Sequence, residues 1–277
     1  MSPGLVIGIL VLAVALALGG LVLARRTEGG WWKDPGRAAG VLGAARGPFA
    51  VILAFVIFIA FQGFNDARHN ADQEASATRR LFKEADLLGG LVRPQVQSNL
   101  ICYARGVINL DWPAMRDGTS SMDVDDTAAL LDDQLHIVHS NGSEGPAIDA
   151  IFADASVRDE ARADRVAEAE GEIPGPVWIV LILGAIGVLT YVILFADPGE
   201  RFVSQAVMVA SVTVVMVGGL ILVWFLSHPF RDEMGSIKPS SMERTLDELQ
   251  TDPTFRRESS LALHCDADGQ PTAAATS

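Results

Sequence analysis

Four groups of side chains in this sequence could do chemistry. His136 and His139 stand three residues apart, with Asp132 and Asp133 one turn upstream. On a helix that spacing brings imidazoles and carboxylates along one face, where they could approach a metal ion. No cysteine or further histidine completes a ligand set, so a solvated acidic helix is the favoured reading. His69, beside Asp66 and Asp72, reads as a surface group next to a membrane span. Cys102 and Cys265 could pair if both face an oxidising compartment, or stand as two free thiols. Phe55, Phe58, Phe61 and Gln62 occupy adjoining positions of one apolar run. Such a row could line a hydrophobic constriction that gates a pore by dewetting, or face lipid and neighbouring helices. The sequence has no phosphate-binding glycine loop, nucleophile elbow or zinc-protease helix motif. It reads as a non-enzyme with no cofactor, no catalytic residue and no metal site.

The elements that position these groups follow from how charge is segregated. The chain has 277 residues, 49% of them apolar, yet its net charge is -13. Between Phe64 and Gly175 there are 21 Asp and Glu against 10 Lys and Arg. Four runs carry no charge: about 4–24, 47–64, 174–196 and 202–227. A hydrocarbon core roughly 30 Å thick takes about 20 apolar residues at 1.5 Å rise each. All four runs are expected to span a membrane as helices, because backbone groups in lipid must be satisfied within the segment. The first has no basic stretch before it and reads as an uncleaved anchor. Glycine pairs within the spans (Gly19 and Gly20, Gly184 and Gly187, Gly218 and Gly219) allow close helix packing. No span contains an ionisable carboxylate or base, which disfavours a proton pump or ion-coupled transporter.

Arg25, Arg26, Lys33, Arg37 and Arg46 make the first loop basic, while no Lys or Arg precedes the first span. Positive flanks stay in the cytoplasm. The N-terminus, the segment 65–173 and the C-terminus are therefore expected outside it, in a cell inner membrane. Arg68, Arg79, Arg80 and Lys83, clustered after the second span, pull the other way.

The segment 65–173 reads as an antiparallel helical insert between the second and third spans. The second span should run on without a break to Leu88, with Ala71, Ala75, Thr78, Phe82 and Ala85 as its apolar stripe and Gly89 and Gly90 as the stop. Further helices are expected over about 94–112, 124–139 and 147–170, the last turning highly charged. Strand signals are absent, and the fold class is all-α. Gly118 to Met122 and a small, polar tail, 250–277, read as loose.

Several stretches together resemble the bacterial bestrophin-like membrane protein family, a domain of unknown function. They are FQGFNDARHNADQEASATRRLFKEADLL, ICYARGVINLDWPAMRDG and LSHPFRDEMGSIKPSSMERTLDEL, in that order around the spans. Asp66, Arg68, Glu74, Trp112, Pro229 and Phe230 are the most recognisable positions. The resemblance runs from about Leu5 to Leu249, and implies one membrane domain over 1–249 with 250–277 as a tail. It implies kinship with bestrophins, pentameric anion channels with four spans per subunit, and makes the Phe row a candidate pore neck. Bestrophins hold their large extramembrane region in the cytosol, whereas the charge asymmetry here points outward. An acidic mouth would also repel anions. Two functions are therefore expected: a bestrophin-like oligomeric ion channel, or a non-conducting scaffold or sensor whose acidic insert binds cell-envelope partners. The expected partners are the lipid bilayer and further copies of the chain. Nucleic acid is not expected, since phosphate would be repelled.

Overall fold

The computed structural model describes residues 3–26, 40, 43–44, 46–90, 92–140, 145–171, 173–195, 201–258, 263 and 265–272. Lys33 and Arg37 of the first loop lie outside the described residues. Ten α-helices are described: α1 (Pro3–Arg26), α2 (Arg46–Glu84), α3 (Val92–Gly106), α4 (Trp112–Met115), α5 (Met122–Ser140), α6 (Pro146–Ala169), α7 (Gly175–Leu194), α8 (Phe202–Leu226), α9 (Ser240–Thr251) and α10 (Pro253–Glu258). No strand occurs among the described residues, and the fold is all-α as the hydropathy pattern requires. The chain divides into two compact units, 1–64 with 172–227 and 65–171 with 228–277.

The membrane unit holds α1, the first part of α2, α7 and α8, the four helices long and apolar enough to cross a bilayer. Phe49, Leu53 and Val56 of α2 pack with Leu181, Ala185 and Val188 of α7 and Val223 of α8. Ala17 and Leu21 of α1 pack with Val209 of α8, beside Val192 and Ile193 of α7. Only some of the glycines serve this packing. The Phe49 ring lies where a Cβ on Gly184 would stand, and Leu53 comes within 3.3 Å of that position at Gly219. Nothing lies within 4 Å of it at Gly187 or Gly218.

The second unit is acidic and is built on the continuation of α2, which runs unbroken to Glu84 before a 3-10 turn (Ala85–Leu87) and Gly90 at φ 63° end it. Its stripe residues Ala71, Ala75, Thr78, Phe82 and Ala85 are all buried. Leu81, Phe82, Leu100, Ile101, Leu131 and Ile151 belong to one core with Leu249 and Phe255. Burying each large side chain is worth about 1.5–3 kcal/mol.

Three sequence expectations need correction here. The helix expected over 94–112 is interrupted: a five-residue π turn, Val107–Asp111, separates α3 from α4. Pro113 follows at once, and a proline lacks the N–H needed for the α-helical bond. The connection after Gly118 is tied down, for Ser121 donates its N–H to Asp111 Oδ1 at 2.8 Å. The segment from 253 onward is not a loose tail throughout. Phe255 is buried edge-on to Phe82, and Cys265 is bonded to Cys102 with their Cα atoms 5.7 Å apart. Gly269, at φ 90°, presses on the backbone of Gly106 so closely that a Cβ would fall 2.7 Å from Gly106 Cα. Composition alone could not reveal these anchors, since each depends on a residue far away in sequence.

Candidate functional site

In the membrane unit, α2 has two faces. Phe49, Leu53, Val56 and Ala60 are buried against the other spans. Phe55, Phe58 and Phe61 are 62%, 55% and 52% exposed, and Gln62 is exposed beside them. At 100° per residue these sets lie on opposite sides of the helix. The aromatic row therefore points away from the chain's own bundle of spans. At the end of this unit where α1 finishes and α2 begins, Arg25 Nε donates to Gln205 Oε1 at 2.9 Å, and Arg25 lies 5.5 Å from the Phe202 ring. Arg46 lies 4.4 Å from the Tyr191 ring. The cationic residues thus gather at one end of the spans.

In the acidic unit, the sequence offers Arg158, Arg162 and Arg165 at spacings of four and three, one face of α6. That face turns inward. Arg165 is fully buried and grips Glu74 through two bonds, Nε to Oε2 at 2.5 Å and Nη2 to Oε1 at 3.0 Å. Its Nη2 also donates to Asp111 Oδ2 at 3.0 Å. Arg162 donates to Asp111 at 3.2 and 3.3 Å and to Asp125 at 2.6 Å. Arg158 donates to Asp132 at 2.8 Å and to Asp159, and lies 5.2 Å from the Tyr103 ring. Tyr103 donates its hydroxyl to Glu74 Oε1 at 2.6 Å. Asp111 closes the π turn and Trp112 opens α4, and both are buried.

Burial of so many charges is stable only when each is paired and hydrogen-bonded. Burial pulls the Arg165 guanidinium down, but the Glu74 and Asp111 carboxylates outweigh it and hold Arg165 above its ordinary value. Burial, then the Glu74 charge, pushes the Tyr103 phenol well up, so it stays a neutral donor. Burial also raises the Asp132 carboxyl, with the neighbouring Arg158 opposing that shift.

The structure brings several of the singled-out residues together. Glu74 and Trp112 meet at Arg165, whose guanidinium lies 5.1 Å from the Trp112 ring. Trp112 contacts Phe230 edge-on at 5.5 Å and donates its Nε1–H to the Ile237 carbonyl at 3.3 Å. Pro229 is buried, and the Ile237 N–H bonds its carbonyl at 2.9 Å. Asp66 and Arg68 are exposed, outside this cluster. A cavity of about 90 Å³ opens where Met115–Gly118 meet Glu170, His228, Phe230 and Arg231. His136 and His139 both lie against the Phe152 ring, at 5.6 and 5.7 Å. No group of three or more potential metal ligands occurs among the described residues. The three arginines of α6 and their partner Asp111 were missed by reading the sequence; the four-three spacing was the available signal.

A model of the Bestrophin-like domain family matches residues 11–242. No curated protein gives a match. Among solved structures, a variant of a bacterial bestrophin homologue from Klebsiella pneumoniae superposes with TM-score 0.68 at 14% identity, covering 88% of this chain and 99% of that one. A second crystal structure of the Klebsiella pneumoniae homologue gives 0.66 at 14% identity, over 86% and 96%. A structure described only as a membrane protein gives 0.66 at 13% identity, over 95% and 99%. At such identity these matches establish the shared fold.

Proposed function

Because this chain belongs to the bestrophin-like family of membrane proteins, we propose that it is an oligomeric ion channel in which α2 lines the axial path. The observation that supports this most is the outward aromatic row. Phe55, Phe58 and Phe61 are more than half exposed on a helix whose opposite face is packed, and Gln62 adds a polar step at one end. Arranged around an axis by further copies, such a row forms a narrow apolar neck that resists wetting when closed. Charge favours cations. The acidic unit carries 29 Asp and Glu against 15 Lys and Arg, while the membrane unit carries 5 against 6. A mouth with that excess of negative charge concentrates cations and repels anions.

The acidic unit, the N-terminus and the C-terminus lie outside the cytoplasm of a cell inner membrane in this reading. Arg25, Arg26, Arg46 and Arg201 flank the opposite ends of the spans. The Cys102–Cys265 bond supports the same orientation, since disulfides persist in oxidising compartments.

The test is flux from liposomes holding the purified full-length chain, with its oligomeric state measured in parallel. Cation flux that rises in Phe58→Ala supports the neck. A monomer or dimer without conductance overturns it and returns the chain to a scaffold whose acidic unit binds cell-envelope partners. Orientation is checked separately, by accessibility of a single introduced cysteine in the acidic unit to a membrane-impermeant reagent applied to cells.

A further inference from the structure

Near the end of α2 in the acidic unit two carboxylates share one guanidinium. Arg80 and Glu84 are four residues apart on α2 and share a face. Opposite them α6 presents Asp154, which accepts from Arg80 Nε at 2.9 and 2.8 Å. Arg80 Nη1 donates to Ser76 Oγ at 3.0 Å, so the guanidinium is fixed by Asp154 and by its own helix. Glu84 also meets Asp154, while its Oε2 is buried without a hydrogen-bond partner. Two carboxylates around one guanidinium repel each other. One proton turns that repulsion into an acid–carboxylate hydrogen bond.

Of the other charges on this stretch of α2, Lys83 is exposed and Arg79 pairs with Glu248 at 3.5 Å. Asp86, just beyond Glu84, accepts from Gln97 at 3.0 Å and lies 4.0 Å from Arg93. From α5, His136 and His139 lie against Phe152, two residues before Asp154 on α6. Burial, then the charge of Asp154 and the hydrogen bond to it, raises the Glu84 carboxyl, with Arg80 opposing.

We infer that Glu84 and Asp154 form a proton-binding clasp that fastens the end of α2 to α6 on acidification and loosens toward neutrality. Glu84 in this setting holds a proton more tightly than an unfolded carboxyl does. Its stabilisation is therefore present at low pH and is lost as pH rises through the folded value. The clasp does not depend on ion conduction.

The test is amide hydrogen exchange of the full-length chain in detergent micelles, corrected for intrinsic rates, from about pH 8 to about pH 5. Protection over 80–88 and 151–158 should rise on acidification, by up to about tenfold for each unit by which the pair's value exceeds that of the free carboxyl. Glu84→Gln donates to Asp154 at every pH, so it should be protected already at neutrality and lose the pH response. Glu160→Gln, an exposed change of equal charge on α6, should keep the wild-type response. A Glu84→Gln profile that tracks the wild type overturns the inference. So does a wild-type chain whose protection in these segments is unchanged by acidification, a result that needs no variant to fold.

Discussion

Replacing Arg165 with Met removes a buried charge and leaves Glu74 and Asp111, both fully buried, facing each other with less compensation. Glu74 would keep only the Tyr103 hydroxyl, and Asp111 would keep Arg162 and the Ser121 N–H. Breaking a buried pair by removing one partner costs about 3–5 kcal/mol. At about 2–4 °C per kcal/mol for a unit of this size, the acidic unit should melt roughly 6–20 °C lower. Trp112 reports this directly, because its ring faces Arg165 and it is the one tryptophan in the acidic unit. Intrinsic fluorescence of the full chain in detergent, followed on heating, is the assay. Adding Glu74→Gln to Arg165→Met should recover part of the loss, since a neutral amide no longer needs the guanidinium. If Arg165→Met melts within about 1 kcal/mol of the wild type, the buried pairing does not hold the acidic unit together and the burial argument fails.

Cys265→Ser should destabilise the acidic unit by about 2–5 kcal/mol, because the bond closes a loop of sequence separation 163. A mobility difference between reduced and oxidised wild-type chain, absent in the variant, checks it on a gel. Gly184→Ala should cost about 1–3 kcal/mol in thermal stability of the membrane unit, its new methyl colliding with the Phe49 ring. Gly187→Ala, with open space around it, should be neutral or slightly stabilising in the same melt. Gly269→Ala should release the C-terminal segment from α3, through both its φ of 90° and the contact with Gly106. Faster proteolysis after residue 258 measures that release.

How much of this was legible depended on range. The spans were readable because about 20 uncharged residues in a row have few soluble explanations. The unbroken run of α2 was readable too, since nothing between Asn65 and Leu88 breaks a helix. The second half of α6 reads from sequence only as highly charged, with no partner assigned to its arginines. Its arginines turn inward because Glu74 and Asp111 lie 91 and 54 residues away, and no local pattern announces a pairing at that distance. The C-terminal segment misled for the same reason. Its composition is small and polar, but Phe255, Cys265 and Gly269 each find a partner on α2 or α3. His136 and His139 both meet Phe152 on α6, a contact that neither reading of the sequence named.

The π turn carries one consequence for how this chain tolerates insertion and deletion. Val107–Asp111 amounts to a helix with one surplus residue. Deleting any single residue there would restore the ordinary α-helical bonding, a local gain. The π turn takes up that residue as a bulge, so the helix on either side would keep its register with its neighbours. Tyr103 would stay on Glu74 and Cys102 on Cys265, whereas a regular α-helix that lost a residue would turn both away by about 100°. The π turn is thus a length buffer: losing its exposed residue, Asn109, would remove the bulge and leave the contacts on either side in place.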